Sequence, residues 1–190
     1  MLRGWALVAW TALCVGAVVG VLVVADPGEP GLRAGIRFTA RTSVSLFLLA
    51  FSASAIDALW RGALGRWLLA NRRYLGVSFA VSHVVHLGLV GALSRTAAAL
   101  DLSGVPFGVV AYAFIAAMTI TSFDGPARAL GRRRWKLLHT TGAYVLWAIF
   151  TFNYARRVPD APAYAPVAAA ALAALGLRIA ARLRRRRNAR

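Results

Sequence analysis

The chain has 190 residues, of which 59% are hydrophobic and 15% are charged. Soluble domains average roughly 45 to 50% apolar and about 25% charged residues, so this composition is typical of an integral membrane protein and leaves almost no room for a soluble domain. A net charge of +17 is compatible with nucleic-acid binding, but basic residues that flank membrane spans and attract anionic lipid explain the charge better. We therefore expect membrane lipid as a partner and no nucleic acid.

Six apolar segments are long enough to cross a hydrocarbon core, which takes roughly 20 helical residues. They lie at about 5–25, 42–60, 74–94, 103–123, 135–155 and 161–181. The first exceeds the apolar run of about 7 to 15 residues typical of a signal peptide, although a cleaved signal ending near 22-LVVA-25 is the alternative. The connections are short and show no repeat, which predicts a single all-α domain, an integral membrane six-helix bundle spanning residues 1–190.

The basic residues predict how this bundle is oriented. Six spans place seventeen of the 23 Lys and Arg residues on one side and six on the other. The larger group comprises Arg3, the loops 61–73 and 128–136, and the tail 178–190. Because cytoplasmic loops carry the excess of Lys and Arg, both termini are expected to be cytoplasmic, with a short basic tail after the last span.

Four Asp, Glu or His side chains fall inside the predicted spans, where such groups are costly and usually functional. Asp57 lies four residues before Arg61, and this spacing predicts a helical ion pair. The other three are His83, His86 and His139, the only histidines in the chain. The lone Cys14 cannot form an intramolecular disulfide.

The histidines indicate a metal or haem site. His83 and His86 are three residues apart and share one face of the third span, while His139 lies in the fifth span, which enters from the same side. Each imidazole could hydrogen-bond a neighbouring helix. Imidazole is, however, the commonest metal ligand, and a pair from facing helices can clamp a haem iron. Zinc or copper is the competing use, although zinc usually recruits carboxylate or thiolate as well.

Three motifs carry a family resemblance: 38-FTART-42, 71-NRRYLGVSF-79 followed by His86, and 121-TSFDGPARALGRRRWKLLH-139 with Tyr144. Together they resemble the ferric reductase-like transmembrane family, and within it the haem-binding subunits of periplasmic methionine sulfoxide reductase systems, over about residues 25 to 157. The resemblance implies a multi-pass b-type cytochrome of the bacterial inner (cytoplasmic) membrane. Such a subunit takes electrons from a separate cytoplasmic flavoprotein reductase or from quinol and passes them to a periplasmic redox partner.

The same resemblance implies which residues hold the iron. His86 and His139 fall on its haem-ligand positions, whereas His83 has no counterpart and is an alternative ligand. The family carries a further histidine about thirteen residues beyond the position of His139, where this chain has Phe152 and Asn153. One haem b is therefore expected.

Helix geometry bears on the same choice. At 1.5 Å per residue, His86 lies about 20 Å and His83 about 15 Å beyond Arg73, but His139 only about 8 Å beyond Arg134. Depth favours His83 as the partner of His139, whereas the resemblance favours His86.

A cationic collar precedes His139. Arg72, Arg73 and Arg134, with Arg132, Arg133 and Lys136, could bind haem propionates, a flavin phosphate or a quinone at the cytoplasmic face. Contact with lipid headgroups is the alternative for each of them. Ser82, Thr140 and Thr141 are near enough in sequence to hydrogen-bond the imidazoles.

The sequence thus predicts one-electron transfer across a membrane, as an electron-transfer subunit of a ferric reductase-like system. Two alternatives are a transporter in which the histidines relay protons, for which broken helices in corresponding halves would be expected, and a membrane assembly subunit without a cofactor.

Overall fold

The structure, a computed structural model, describes residues 2–96 and 105–189. Within these ranges the chain forms helices and no strand, as the all-α prediction requires. The seven α-helices are α1 (Trp5–Ala25), α2 (Glu29–Trp60), α3 (Ala63–Thr96), α4 (Val105–Ile120), α5 (Asp124–Leu130), α6 (Arg132–Ala155) and α7 (Ala165–Arg187), with a 3-10 turn at Pro162–Tyr164. The start of the predicted span 103–123 and Arg190 lie outside the described residues.

Helix α2 lies at the centre of the bundle. It packs most extensively on α3 and also on α7 and α1, while α6 packs against α4 and α7. The core between these helices is rich in aromatic rings, because Phe47, Phe51, Phe79 and Phe150 are all buried there. Helix α1 is peripheral, and Val15 is its one buried residue.

Several helices are long and apolar enough to cross a membrane, as expected for a multi-pass membrane protein. Four qualify alone: Trp5–Ala25, Glu29–Trp60, Ala63–Arg95 and Pro162–Arg187. Helices α4 and α5 qualify as a pair but meet at 104°. The predicted fifth span corresponds to α6, which does not meet the same criterion and whose first turns carry Arg132, Arg133, Arg134 and Lys136.

Two helices begin earlier than the apolar runs indicated. Helix α2 starts at Glu29 rather than near 42, with Pro30 in its first turn, where proline is tolerated. An ion pair between Arg33 and Glu29, 2.6 Å apart, supports this polar extension. Helix α3 starts at Ala63 rather than near 74, so most of the predicted loop 61–73 is helical.

The predicted ion pair between Asp57 and Arg61 is wrong. Among the described residues, ion pairs join Arg33 to Glu29 and Arg73 to Asp124. Arg61 ends α2 in the left-handed conformation, with φ 48°. Its side chain therefore leaves the helix surface on which residues four apart meet.

The basic segments gather at one end of the bundle, which we call the basic end. Trp67 Nε1 donates to the carbonyl of Leu2 near the N-terminus at 3.0 Å. Arg73 bonds Asp124 at the start of α5 at 2.9 Å, and Arg184 in α7 donates to the carbonyl of Leu59 at 2.7 Å. The N-terminus, the α2–α3 turn, α5 and the end of α7 are thereby neighbours.

Candidate functional site

A cavity of about 610 Å³ opens among α2, α3, α4 and α6 towards the basic end. Its inner walls are apolar and consist of Phe47, Phe51, Phe79, Ile115, Met118 and Leu146. Volumes of about 300 to 1,000 Å³ with mainly hydrophobic walls are usual for cofactor and small-molecule sites. The cavity is therefore large enough for a cofactor.

His139 lines this cavity and is held by the end of α4. Its Nε2 lies 2.9 Å from Thr121 Oγ1, and its ring stacks on Trp135 with centroids 4.2 Å apart. Trp135 Nε1 in turn donates to the carbonyl of Thr121 at 2.8 Å. The hydrogen bond to Thr121 after α4 and the stacked Trp135 ring of α6 together fix the imidazole.

The Thr121 hydroxyl also determines the tautomer of His139. Thr121 Oγ1 donates to the carbonyl of Ala117 at 2.7 Å, and that carbonyl can only accept. Since a hydroxyl has one proton, Nε2 of His139 must donate to Thr121. This assignment leaves Nδ1 as the nitrogen with a free lone pair while the bond persists.

Cationic side chains surround the mouth of the cavity. Arg72, Arg73, Arg132, Lys136 and Arg178 all line it, together with the carboxylate of Asp124. Arg72 Nε donates to the carbonyl of Ala50 at 3.1 Å, which holds that guanidinium against α2. The excess of positive charge favours a ligand with anionic groups at this end.

Arg178 is a cavity residue that the sequence analysis placed in the tail. Its Nη1 donates to the carbonyl of Phe51 at 2.7 Å, and its guanidinium lies 4.3 Å from the centroid of the Phe51 ring. It also lies 3.3 Å from the hydroxyl of Tyr144. No local signal indicated this role, because Arg178 reaches α2 from 127 residues away along the chain.

Arg134, by contrast, does not line the cavity and is exposed, although it was predicted to bind cofactor. The cavity face of α6 carries Arg132, Trp135, Lys136 and His139. This is the spacing of three, four and seven residues that one helix face requires. Arg134 is two residues from Arg132 and so lies on the opposite side of the helix.

His83 and His86 form a separate cluster in α3. Their rings stack with centroids 5.2 Å apart and 13° between planes. His86 Nδ1 lies 3.0 Å from Thr39 Oγ1, and the buried His83 packs on Phe79 and Tyr112. Within the described part of the chain, Nδ1 of His83 has no hydrogen-bond partner.

The structure does not bring this cluster to His139. The His83 ring is 5.7 Å from the ring of Phe150, and Phe150 is eleven residues beyond His139 on α6. At 1.5 Å per residue this corresponds to about 16 Å along the helix, whereas two axial imidazoles on one metal, with bonds of about 2 Å each, lie close together. The structure therefore does not place His86 or His83 opposite His139, as the expected pair of iron ligands requires. Of the three histidines, only His139 lines the cavity.

One aromatic layer separates the two sets of histidines. Phe79 lines the cavity, and the centroid of its ring also lies 5.4 Å from that of the His83 ring.

Phe152, at the position of the missing family histidine, is 53% exposed and packs on Phe107. Asn153 donates to the carbonyl of Ile149 on its own helix. Neither residue therefore completes a site with His83 or His86.

The hydroxyl partners of the imidazoles also differ from the prediction. Thr39 in α2 and Thr121 at the end of α4 bond His86 and His139. Ser82 instead pairs with Ser43, with 2.9 Å between the hydroxyl oxygens. Near neighbours in sequence were expected, but the residues that bond the rings come from adjacent helices.

No family model, curated protein or solved structure matches this chain. Among the described residues there is also no group of three or more His, Cys, Asp or Glu side chains that could hold a metal ion.

Proposed function

We propose that this chain is a b-type cytochrome of the bacterial inner membrane, with six spans and cytoplasmic termini, that carries single electrons across the bilayer. The cavity at the basic end is the observation that supports the proposal. It combines one imidazole, apolar walls and a cationic mouth, and a haem presents the complementary features: an iron, an apolar ring and two carboxylates.

The residues of the cavity fit such a group. His139 would supply a nitrogen ligand, and the guanidinium groups of Arg72, Arg73 and Arg178 would pair with the propionates. Gly76 lines the cavity, and a Cβ built on it would have nothing within 4 Å. The missing side chain therefore leaves open space beside α3, into which a flat ring can fit.

Bound there, haem b would supply reversible one-electron chemistry. The protein residues would control it through ligation, burial and hydrogen bonds to the ligand. Thr121 would hold the His139 ring in one tautomer, while Phe47, Phe51 and Phe79 would exclude water from the inner wall. We propose one haem per chain at this cavity.

The proposed direction of electron entry is from the basic end. The mouth faces the basic end, where the charge would attract an acidic cytoplasmic partner. The proposed donor is a separate cytoplasmic flavoprotein reductase, or a quinol, and the proposed acceptor is a periplasmic redox partner. These roles follow the resemblance to the ferric reductase-like family and to haem-binding subunits of methionine sulfoxide reductase systems.

Purification of the full chain with haem supplied during expression tests the proposal. We expect a Soret band that shifts on reduction, the pyridine haemochrome spectrum of haem b, and a haem content near one per chain. His139→Ala should remove most of the haem, because the cavity contains no second imidazole among the described residues. His86→Ala, the matched control, should retain it.

Two results would contradict this assignment. A chain that stays colourless would favour the proton-relay or assembly alternatives. Retention of full haem by His139→Ala, with loss in His86→Ala, would move the haem to the His83 and His86 cluster.

A further inference from the structure

A second cavity, separate from that of His139, lies at the basic end. It has a volume of about 430 Å³ and is formed where the α2–α3 turn meets the end of α7. Its charged lining consists of Arg61, Arg66, Arg184, Arg185 and Asp57. Four guanidinium groups face one carboxylate, so the cavity has a formal excess of three positive charges.

The backbone holds these arginines in place. Arg184 donates to the carbonyl of Leu59 at 2.7 Å, and Arg66 donates to that of Arg61 at 2.9 Å. Each guanidinium has five N–H donors, and these bonds use one donor on each. The remaining donors are available to a ligand in the cavity.

The α2–α3 turn beneath the cavity is tightly packed. Arg61 has left-handed backbone angles, with φ 48° and ψ 27°. A Cβ added to Gly65 would lie 2.7 Å from the Cα of Asp57, closer than real side chains pack. The first turn of α3 therefore lies directly against α2, and Asp57, Arg61 and Arg66 occupy fixed positions.

We propose that this cavity binds the headgroup of an anionic phospholipid that carries both a phosphodiester and a hydroxyl group, as phosphatidylglycerol does. Arginine side chains bind phosphate through paired N–H donors, and basic pockets between helices on the cytoplasmic side are suited to lipid headgroups. The Asp57 carboxylate, which forms no ion pair among the described residues, accepts a hydrogen bond from the headgroup hydroxyl. A bare phosphate has no hydroxyl group of this kind, so the arginines would attract it while Asp57 would contribute only repulsion.

Ligand-dependent stabilisation of the purified, delipidated full chain tests the inference. Thermal midpoints and affinities would be measured with phosphatidylglycerol, phosphatidic acid, phosphatidylcholine and inorganic phosphate. Phosphatidylglycerol should stabilise the chain most. The double variant Arg184→Gln/Arg185→Gln should lower its affinity by about tenfold or more.

The matched control is Arg186→Gln/Arg187→Gln, which removes the same charge from residues outside the cavity. It should change the affinity less than twofold. Each variant is compared with its own lipid-free midpoint, and Arg66→Gln serves as a second cavity variant if the double variant does not fold. Asp57→Asn should abolish the preference for phosphatidylglycerol over phosphatidic acid.

Equal losses in the two double variants would overturn the site, since they would indicate diffuse attraction by the tail. An equal shift with inorganic phosphate would overturn the lipid assignment. An unchanged preference in Asp57→Asn would overturn the role of the carboxylate.

Discussion

The bond between Thr121 and His139 gives the sharpest prediction at the residue scale. Thr121→Val keeps the shape of the side chain but removes the oxygen that accepts from Nε2, so the imidazole loses its fixed tautomer. Loss of a hydrogen-bond partner behind a metal ligand typically costs about 10- to 100-fold in affinity. We therefore expect haem affinity, measured by titration of the apoprotein, to fall by at least about tenfold.

Thr121→Ser retains the hydroxyl and is the matched control, for which near wild-type affinity is expected. If the Thr121→Val and Thr121→Ser variants bind haem equally well, Thr121 has no part in orienting His139. The proposed site would then depend on His139 without this support.

Residue-level prediction from the sequence succeeded for the basic residues beside His139 and failed where a contact depends on how the helices dock. Arg72, Arg73 and His139 were expected near one another, and all three line the cavity. Arg178 was missed because its contact with Phe51 depends on how α7 docks on α2. The pairing of His86 with His139 failed because two helices that enter from one side can still place their histidines at different depths.

At the element scale, the contact between α4 and α6 shapes the wall of the cavity. A Cβ added to Gly142 would lie 2.5 Å from Met118 Sδ and 2.9 Å from Phe114 Cδ1. Gly142→Ala should destabilise the chain by about 1 to 3 kcal/mol, the usual cost of overpacking, because the Phe114 ring must shift as well as the flexible Met118 side chain. The thermal midpoint in detergent, followed by circular dichroism, measures this effect.

Met118→Ala removes the closest obstructing atom, so Gly142→Ala should cost less in that background. The resulting double-mutant cycle should show a coupling of about 0.5 kcal/mol or more, as residues in contact do. Gly88→Ala is the control, because Gly88 is exposed on α3 with nothing within 4 Å of an added Cβ. A similar loss of stability in Gly88→Ala would show that replacement of glycine is costly in these helices whatever the packing around it.

The apolar runs located most helices but not their ends. Counting hydrophobic residues detects the part of a helix that a hydrocarbon core would cover, and α2 and α3 continue beyond it into polar sequence such as 29-EPGLR-33. Helix α5 falls in the connection that was predicted to follow the fourth span at 123, although its proline is tolerated in a first helical turn. The fold class was therefore predictable, whereas the break between α4 and α5 was not.

At the scale of the whole molecule, charge and cavities lie at the same end. The cavity of His139 and that of Arg184 both open among the basic segments. Placement of this end in the cytoplasm would bring the proposed haem site to the side of a soluble electron donor. Attraction of an acidic donor should then weaken as salt is added, because the Debye length falls from about 10 Å at 0.1 M to about 3 Å at 1 M.

The orientation can be tested with single cysteines in a Cys14→Ser background, which removes the only native thiol. Asn188 follows α7 at the basic end and Asp160 lies between α6 and α7, at the other end of the bundle; both are exposed. Since cytoplasmic segments carry the excess of Lys and Arg, Asp160→Cys should react with a membrane-impermeant maleimide in intact spheroplasts. Asn188→Cys should react only after lysis. The reverse pattern, or labelling of both cysteines in intact spheroplasts, would contradict an arrangement with the basic end in the cytoplasm. The mouth of the His139 cavity would then face away from any cytoplasmic donor.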